Sequence, residues 1–271
     1  MSPDRSTTAP ARSTALGTGT LLKAIGTKTY VLRKRYLFNT VTQIAIIYVL
    51  FLMVWFGGKA VAPTAIADNL AGITVGFFVW VMAVRAYRAL SQDLINEAQW
   101  GTLEQLYLTP FGFGRVLAVK TVVNVAESFL WGATILALLL VTTSQSLYVD
   151  VVSVVPLVAL SLASAAGVGF VLGGLTLLYK RIENVFTLVQ FLFVAFIAAP
   201  VEQYPLLKLL PLSLGTDLLG SVMGDGLRLW ELPALDLGLL VVKATLYLVV
   251  GYVVLQRCQY RARVRGALGH Y

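Results

Sequence analysis

Few side chains in this sequence are equipped for chemistry. It has one cysteine, Cys258, and one histidine, His270, beside the C-terminus. One cysteine cannot close an intramolecular disulfide. One Cys with one terminal His is too few for a zinc, haem or iron–sulfur site. The Ser/His/Asp and Cys/His arrangements of nucleophilic catalysis lose their base in the same way. Both residues read as belonging to a solvated or loosely packed tail. Two ionisable residues stand inside otherwise apolar stretches, Glu127 and Lys243. Each costs about 2.5–3.5 kcal/mol near the centre of a membrane helix, so each must face a partner or a cavity. Three roles fit them: a structural pair or snorkelling at an interface, the lining of a substrate path, or a proton relay. Arg85 lies near the end of its stretch, where snorkelling is expected.

No nucleotide site is encoded. A P-loop needs G-x-x-x-x-G-K-[ST], so that backbone amides and Lys cradle phosphates. Gly17-Thr-Gly19 with Lys23 does not fit, and Gly26-Thr-Lys28-Thr29 lacks the first glycine at the required offset.

The elements that must position these residues follow from composition. Charged residues make up 13% of the 271 residues and hydrophobic ones 58%, with a mean hydropathy of +0.80. Ordinary globular chains carry about 25% charge. Lipid is therefore the bulk solvent. Residues 1–20 are rich in Ser, Thr, Pro and Ala and lack the apolar core of a signal peptide, which predicts a disordered tail. Residues 21–36 are amphipathic: Leu21, Ile25, Leu32 and Tyr36 form a stripe, and Lys28, Arg33, Lys34 and Arg35 make the helix basic. Such a helix lies at a membrane surface among anionic headgroups. Nucleic-acid binding, the competing reading of a basic run, is weak where the run leads straight into a hydrophobic span.

About 20 apolar residues cross a hydrocarbon core. Spans are expected at about 38–58, 70–90, 114–142, 151–178, 184–200 and 236–256. Every basic residue except Lys59, Lys208, Arg228 and the intramembrane Lys243 then falls on the side of the termini. The positive-inside rule places both termini in the cytoplasm. The net charge of +8 is thus a topology signal. Residues 206–223 are Leu-rich but contain Lys208, Pro211 and Asp217. Crossing there would put the C-terminal arginines outside, so re-entrant or interfacial helices on the outer face are expected. Ser161, Ala165, Gly169 and Gly173 recur at four-residue intervals. Such small residues allow close helix approach, within the chain or between subunits.

The cytoplasmic segment between spans two and three runs from Glu97 to Pro110. Residues Glu97–Leu108 can form a short helix, ended by Pro110, with Trp100, Leu103, Leu106 and Tyr107 on one face and Gly101, Glu104 and Gln105 opposite. Docking into a partner's groove and lying on the membrane fit this helix equally well. The pattern Glu97-x-x-x-Gly101-Thr102-Leu103-Glu104-x-Leu106-x-x-Thr109-Pro110 resembles the signature of type 2 ABC exporter permeases, which move drugs, lipids and lipid-linked polysaccharides. Gln99 is neutral where that family often carries a charge. The likeness extends to the basic N-terminal helix, the six spans, the turn Tyr179–Asn184 and the helical outer segment before the last span.

The resemblance implies an all-α polytopic membrane protein with six transmembrane helices, a permease domain over about 21–256 and a basic cytoplasmic tail over 257–271. It implies a cell-membrane homodimer, packed through spans one and five, with two copies of a P-loop ATPase subunit that bind ATP and Mg; the chain itself would bind no cofactor and catalyse nothing. Glu97, Trp100, Gly101, Thr102, Leu103, Glu104, Leu106 and Tyr107 would form the coupling helix that docks the ATPase. Lys180, Arg181, Glu183 and Asn184 would form a second contact. The expected function is ATP-driven export of an amphiphilic, lipid-like or drug-like substrate. The alternative is an ion-coupled secondary transporter using Glu127 and Lys243.

Overall fold

The computed structural model describes residues 17–64, 69–99, 109–179 and 182–264. Eight α-helices account for most of them: α1 (Thr18–Arg35), α2 (Leu37–Val61), α3 (Leu70–Gln99), α4 (Phe113–Thr143), α5 (Val151–Leu178), α6 (Glu183–Ile197), α7 (Ser213–Gly224) and α8 (Ala234–Val264). Two short 3₁₀ turns, Pro205–Leu209 and Leu229–Glu231, flank α7. There is no strand among the described residues. Five helices (α2, α3, α4, α5 and α8) are long and apolar enough to cross a membrane. The architecture fits a polytopic helical membrane protein. α6 has 15 residues, about 22 Å at 1.5 Å per residue, and falls short of a bilayer core by itself. It packs antiparallel along the first half of α3. Tyr87 stacks on Phe186 with centroids 6.2 Å apart at one end, and Gly76 faces Ile197 at the other.

α5 is the centre of the bundle. It begins at an Asp150 N-cap whose carboxylate accepts from Val152 N at 3.3 Å and from Ser153 Oγ at 2.5 Å, which satisfies donors the first turn would otherwise leave orphaned. Pro156, the sixth residue of the helix, lacks the N–H that would bond the Val152 carbonyl. Two glycine faces then bring neighbours close. A Cβ on Gly169 would stand 2.7 Å from Tyr87 O of α3, and one on Gly173 would stand 3.0 Å from Leu94. On the other face, a Cβ on Gly167 would overlap the Tyr247 carbonyl of α8, and one on Gly251 would overlap the Gly167 carbonyl. The glycine ladder expected from the sequence is thus filled within the chain, against α3. The second face at Gly167 and Gly174 is not part of that four-residue series. In lipid, where hydrophobic drive between helices is weak, such close backbone approach is the main source of association.

Several expectations are corrected. α3 does not stop near residue 90 but continues to Gln99, because no Gly or Pro interrupts 77–99. α8 continues through Val264. Cys258 is therefore no tail residue: it is buried, packed against Gly174. His270 lies outside the described residues. On α1, the half-buried positions are Leu21, Ile25, Gly26, Thr29 and Arg33, whereas Leu32 and Tyr36 remain exposed. An ion pair made by Arg33 sets that rotation.

Between α6 and α8 the chain is tied down by polar contacts. The buried Lys243 of α8 donates from Nζ to the carbonyls of Lys208 and Leu210, both at 2.9 Å. Lys208 pairs with Asp236 at 2.8 Å. Ser213 Oγ donates to Leu207 O and Leu210 O at 2.6 and 2.8 Å. Leu212, at φ 70°, is fully buried, and its N–H reaches Ser164 Oγ of α5 at 3.3 Å.

Candidate functional site

A cavity of about 600 Å³ opens between α1, α2, α3 and α4. Each helix lines it with a polar stripe at i, i+3/i+4, i+7 spacing. α3 contributes Arg85, Arg88, Gln92 and Asp93. α4 contributes Lys120, Asn124, Glu127 and Ser128. α2 supplies Asn39, Thr40 and Gln43, and α1 supplies Lys28, Thr29 and Arg33. Apolar walls come from Ile25, Leu32, Ile46, Ile47 and Val84. These stripes were visible in the sequence as polar residues at helical spacing beside apolar ones. Reading the spans for length and mean apolarity passes over them.

Glu127 is the hub. Its Oε1 accepts from Arg85 Nη2 at 3.1 Å and forms an ion pair with Arg33 of α1. Arg85 Nη1 donates to Gln43 Oε1 of α2 at 3.2 Å. The Arg85 guanidinium stacks over Trp131 at 3.9 Å, and that of Arg33 sits 5.6 Å from the same ring. One carboxylate and one indole therefore tie four helices together, and each arginine face is desolvated against an aromatic. Burial pushes the Arg33 guanidinium below its usual pKa. Arg85 does not snorkel, as its position had suggested; it is committed to Glu127, Gln43 and Trp131. Glu127 and Lys243 do not pair, because Glu127 serves the two arginines and Lys243 serves backbone carbonyls on another face of the bundle.

Below this hub, Lys120 is shared by two carboxylates of α3, Glu97 at 3.2 Å and Asp93 at 3.7 Å. Glu97 is 8% exposed. It belongs to the last turns of α3, with its carboxylate turned onto α4, and does not open a separate helix. Trp100, Gly101, Thr102, Leu103, Glu104, Leu106 and Tyr107 lie outside the described residues, as do Lys180 and Arg181. Glu183 and Asn184 open α6 and are exposed. Thr109 and Pro110 open a turn closed by Gly112 N–H on Thr109 O at 3.1 Å, and Gly112, whose φ of 75° favours glycine, redirects the chain into α4.

No group of three or more His, Cys, Asp or Glu is placed to hold a metal among the described residues. No family model matches the chain, and comparisons with curated proteins and with solved structures gave no match.

Proposed function

We propose that this chain is the membrane subunit of an ATP-driven exporter of the type 2 ABC kind. Six spans would cross the membrane, with α6 completed by residues 198–200 and both termini in the cytoplasm. The outer helices around α7 would be re-entrant, with Leu212 inserted to the level of Ser164. The observation that carries the proposal is the Gly101-Thr102-Leu103-Glu104 motif with Thr109-Pro110, set in the connection between α3 and α4. Support comes from its setting. α1 is a basic helix that turns at Tyr36 directly into α2. Leu94 of α3 and Leu117 of α4, close to that connection, pack with Leu255 and Ala262 of α8, so Arg257, Arg261 and Arg263 lie at the same end of the bundle. A helix docked in an ATPase groove there would pass motion to α3 and α4 as rigid bodies.

The subunit would work as a homodimer with two ATPase subunits that supply ATP and Mg. Its substrate would be amphiphilic, lipid-like or drug-like. Glu97 would act from within α3 as an anchor for the docking segment through Lys120. Reconstitution with the ATPase in vesicles tests the proposal. Gly101→Trp is expected to insert normally and to lose ATP-driven transport; unimpaired transport would overturn it.

A further inference from the structure

We propose that the cavity between α1 and the α2–α4 face is a binding site for the phosphate headgroup of an anionic membrane phospholipid. The inference rests on the chain lying in a bilayer, and it is independent of the coupling to an ATPase.

The charge arrangement motivates it. Glu127 is shared by Arg33 and Arg85, so one carboxylate faces two guanidinium groups. Lys120 is taken up by Asp93 and Glu97. Two more cations line the opening, Lys28 and Arg88, and neither makes an ion pair among the described residues. Arg88 uses Nε on the Tyr87 hydroxyl at 3.2 Å, and its two terminal nitrogens carry no hydrogen bond to the described chain. Asn124, another lining residue, stands beside the Asp93 carboxylate, which also lies within electrostatic reach of Lys28; among the described residues the lining still sets Lys28, Arg33, Arg85, Arg88 and Lys120 against only Asp93, Glu127 and, through Lys120, Glu97. The cavity thus holds surplus donors and surplus positive charge, and a phosphodiester offers acceptor oxygens and one negative charge.

The walls select the rest of the ligand. Above the cations the lining is Ile46, Ile47 and Val84, and it runs onto the apolar surface of α2, where Ile46 is 63% and Met53 68% exposed. A free anion would leave that surface uncovered, whereas an acyl chain would lie along it. The site therefore reads both ends of a phospholipid, the headgroup by charge and the chain by burial.

The test uses the full chain in mixed micelles with phosphatidylglycerol and phosphatidylcholine at equal mole fraction, with retained lipid counted by native mass spectrometry. The wild type is expected to retain phosphatidylglycerol preferentially. Lys28→Gln/Arg88→Gln is expected to cut that preference about tenfold, since each basic residue near a headgroup is worth roughly fivefold and both are partly solvated. The double variant should keep the wild-type melting temperature, and Arg88→Lys should keep most of the preference. Millimolar inorganic phosphate should not displace the lipid. Equal retention of the two lipids by the wild type would overturn the proposal, which leaves it testable should the double variant not fold. An undiminished preference in a folded double variant, or displacement by inorganic phosphate, would overturn it too, the latter by revealing a site for soluble anions.

Discussion

The two sides of the bundle are held together by opposite means. On one side, α3, α5 and α8 touch backbone to backbone through Gly169, Gly167 and Gly251, with almost no charge between them. On the other, α1 and α2 lean on α3 and α4 through Glu127, Arg33, Arg85 and Gln43 around an open cavity. Only Phe51 and Trp55 of α2 are fully buried, and α1 buries no residue. A glycine contact in lipid has one geometry and no cheap alternative. An ion-pair hub can exchange partners. The first side is built to stay fixed and the second to adjust.

Breaking the fixed side should cost most. Gly251→Leu puts a side chain into the Gly167 carbonyl, which cannot rotate away. A loss of about 3 kcal/mol or more is expected, seen as a collapsed or absent monodisperse peak in size-exclusion chromatography. Lys243→Met comes next. It leaves the Lys208 and Leu210 carbonyls without their donor, at about 1–3 kcal/mol for an orphaned buried acceptor. Faster hydrogen exchange at 205–213, with α5 unchanged, is the expected signature. Glu127→Gln should act on the adjustable side alone. Arg33 and Arg85 are 36% and 23% exposed, so solvent screens part of the loss, and about 1–2 kcal/mol is expected. Exchange should rise across 18–35 and stay protected in α5 and α8. Smallest is Gly57→Ala on α2. A Cβ there meets nothing within 4 Å, and a change within about 1 kcal/mol, toward greater stability, is expected in thermal melts. If Gly57→Ala destabilised as much as Gly251→Leu, the contrast between the two sides would be lost.

How far the sequence carried follows the same division. Apolar runs place α4 and α5 to within a residue and α2 to within three; the stripe on residues 21–36 finds the α1 helix but not its buried face. The extent of α3 and α8 was underestimated, because apolarity ends before helicity does: Gln92 to Gln99 and Arg257 to Val264 are polar yet good helix formers. The Ser161–Gly173 ladder was legible as close packing, but its partner, Tyr87 and Leu94, was not. Partners of Glu127 and Lys243 escaped for a physical reason. Glu127 is 42 residues from Arg85, and Lys243 is satisfied by backbone carbonyls, which carry no residue-type signal. A Glu127–Lys243 pair, one of the roles their isolation in apolar stretches allows, does not form, because tertiary geometry places them on different faces.

In the proposed function, the segment joining α3 to α4 docks an ATPase. Co-expression of the chain with a candidate P-loop ATPase subunit, followed by purification through a tag on the chain, tests this most directly. A complex with equal numbers of the two subunits is expected, together with its loss for Glu104→Arg while the variant remains membrane-inserted and folded. A wild-type chain that purifies without the ATPase, or a Glu104→Arg chain that retains it in full, would contradict the claim.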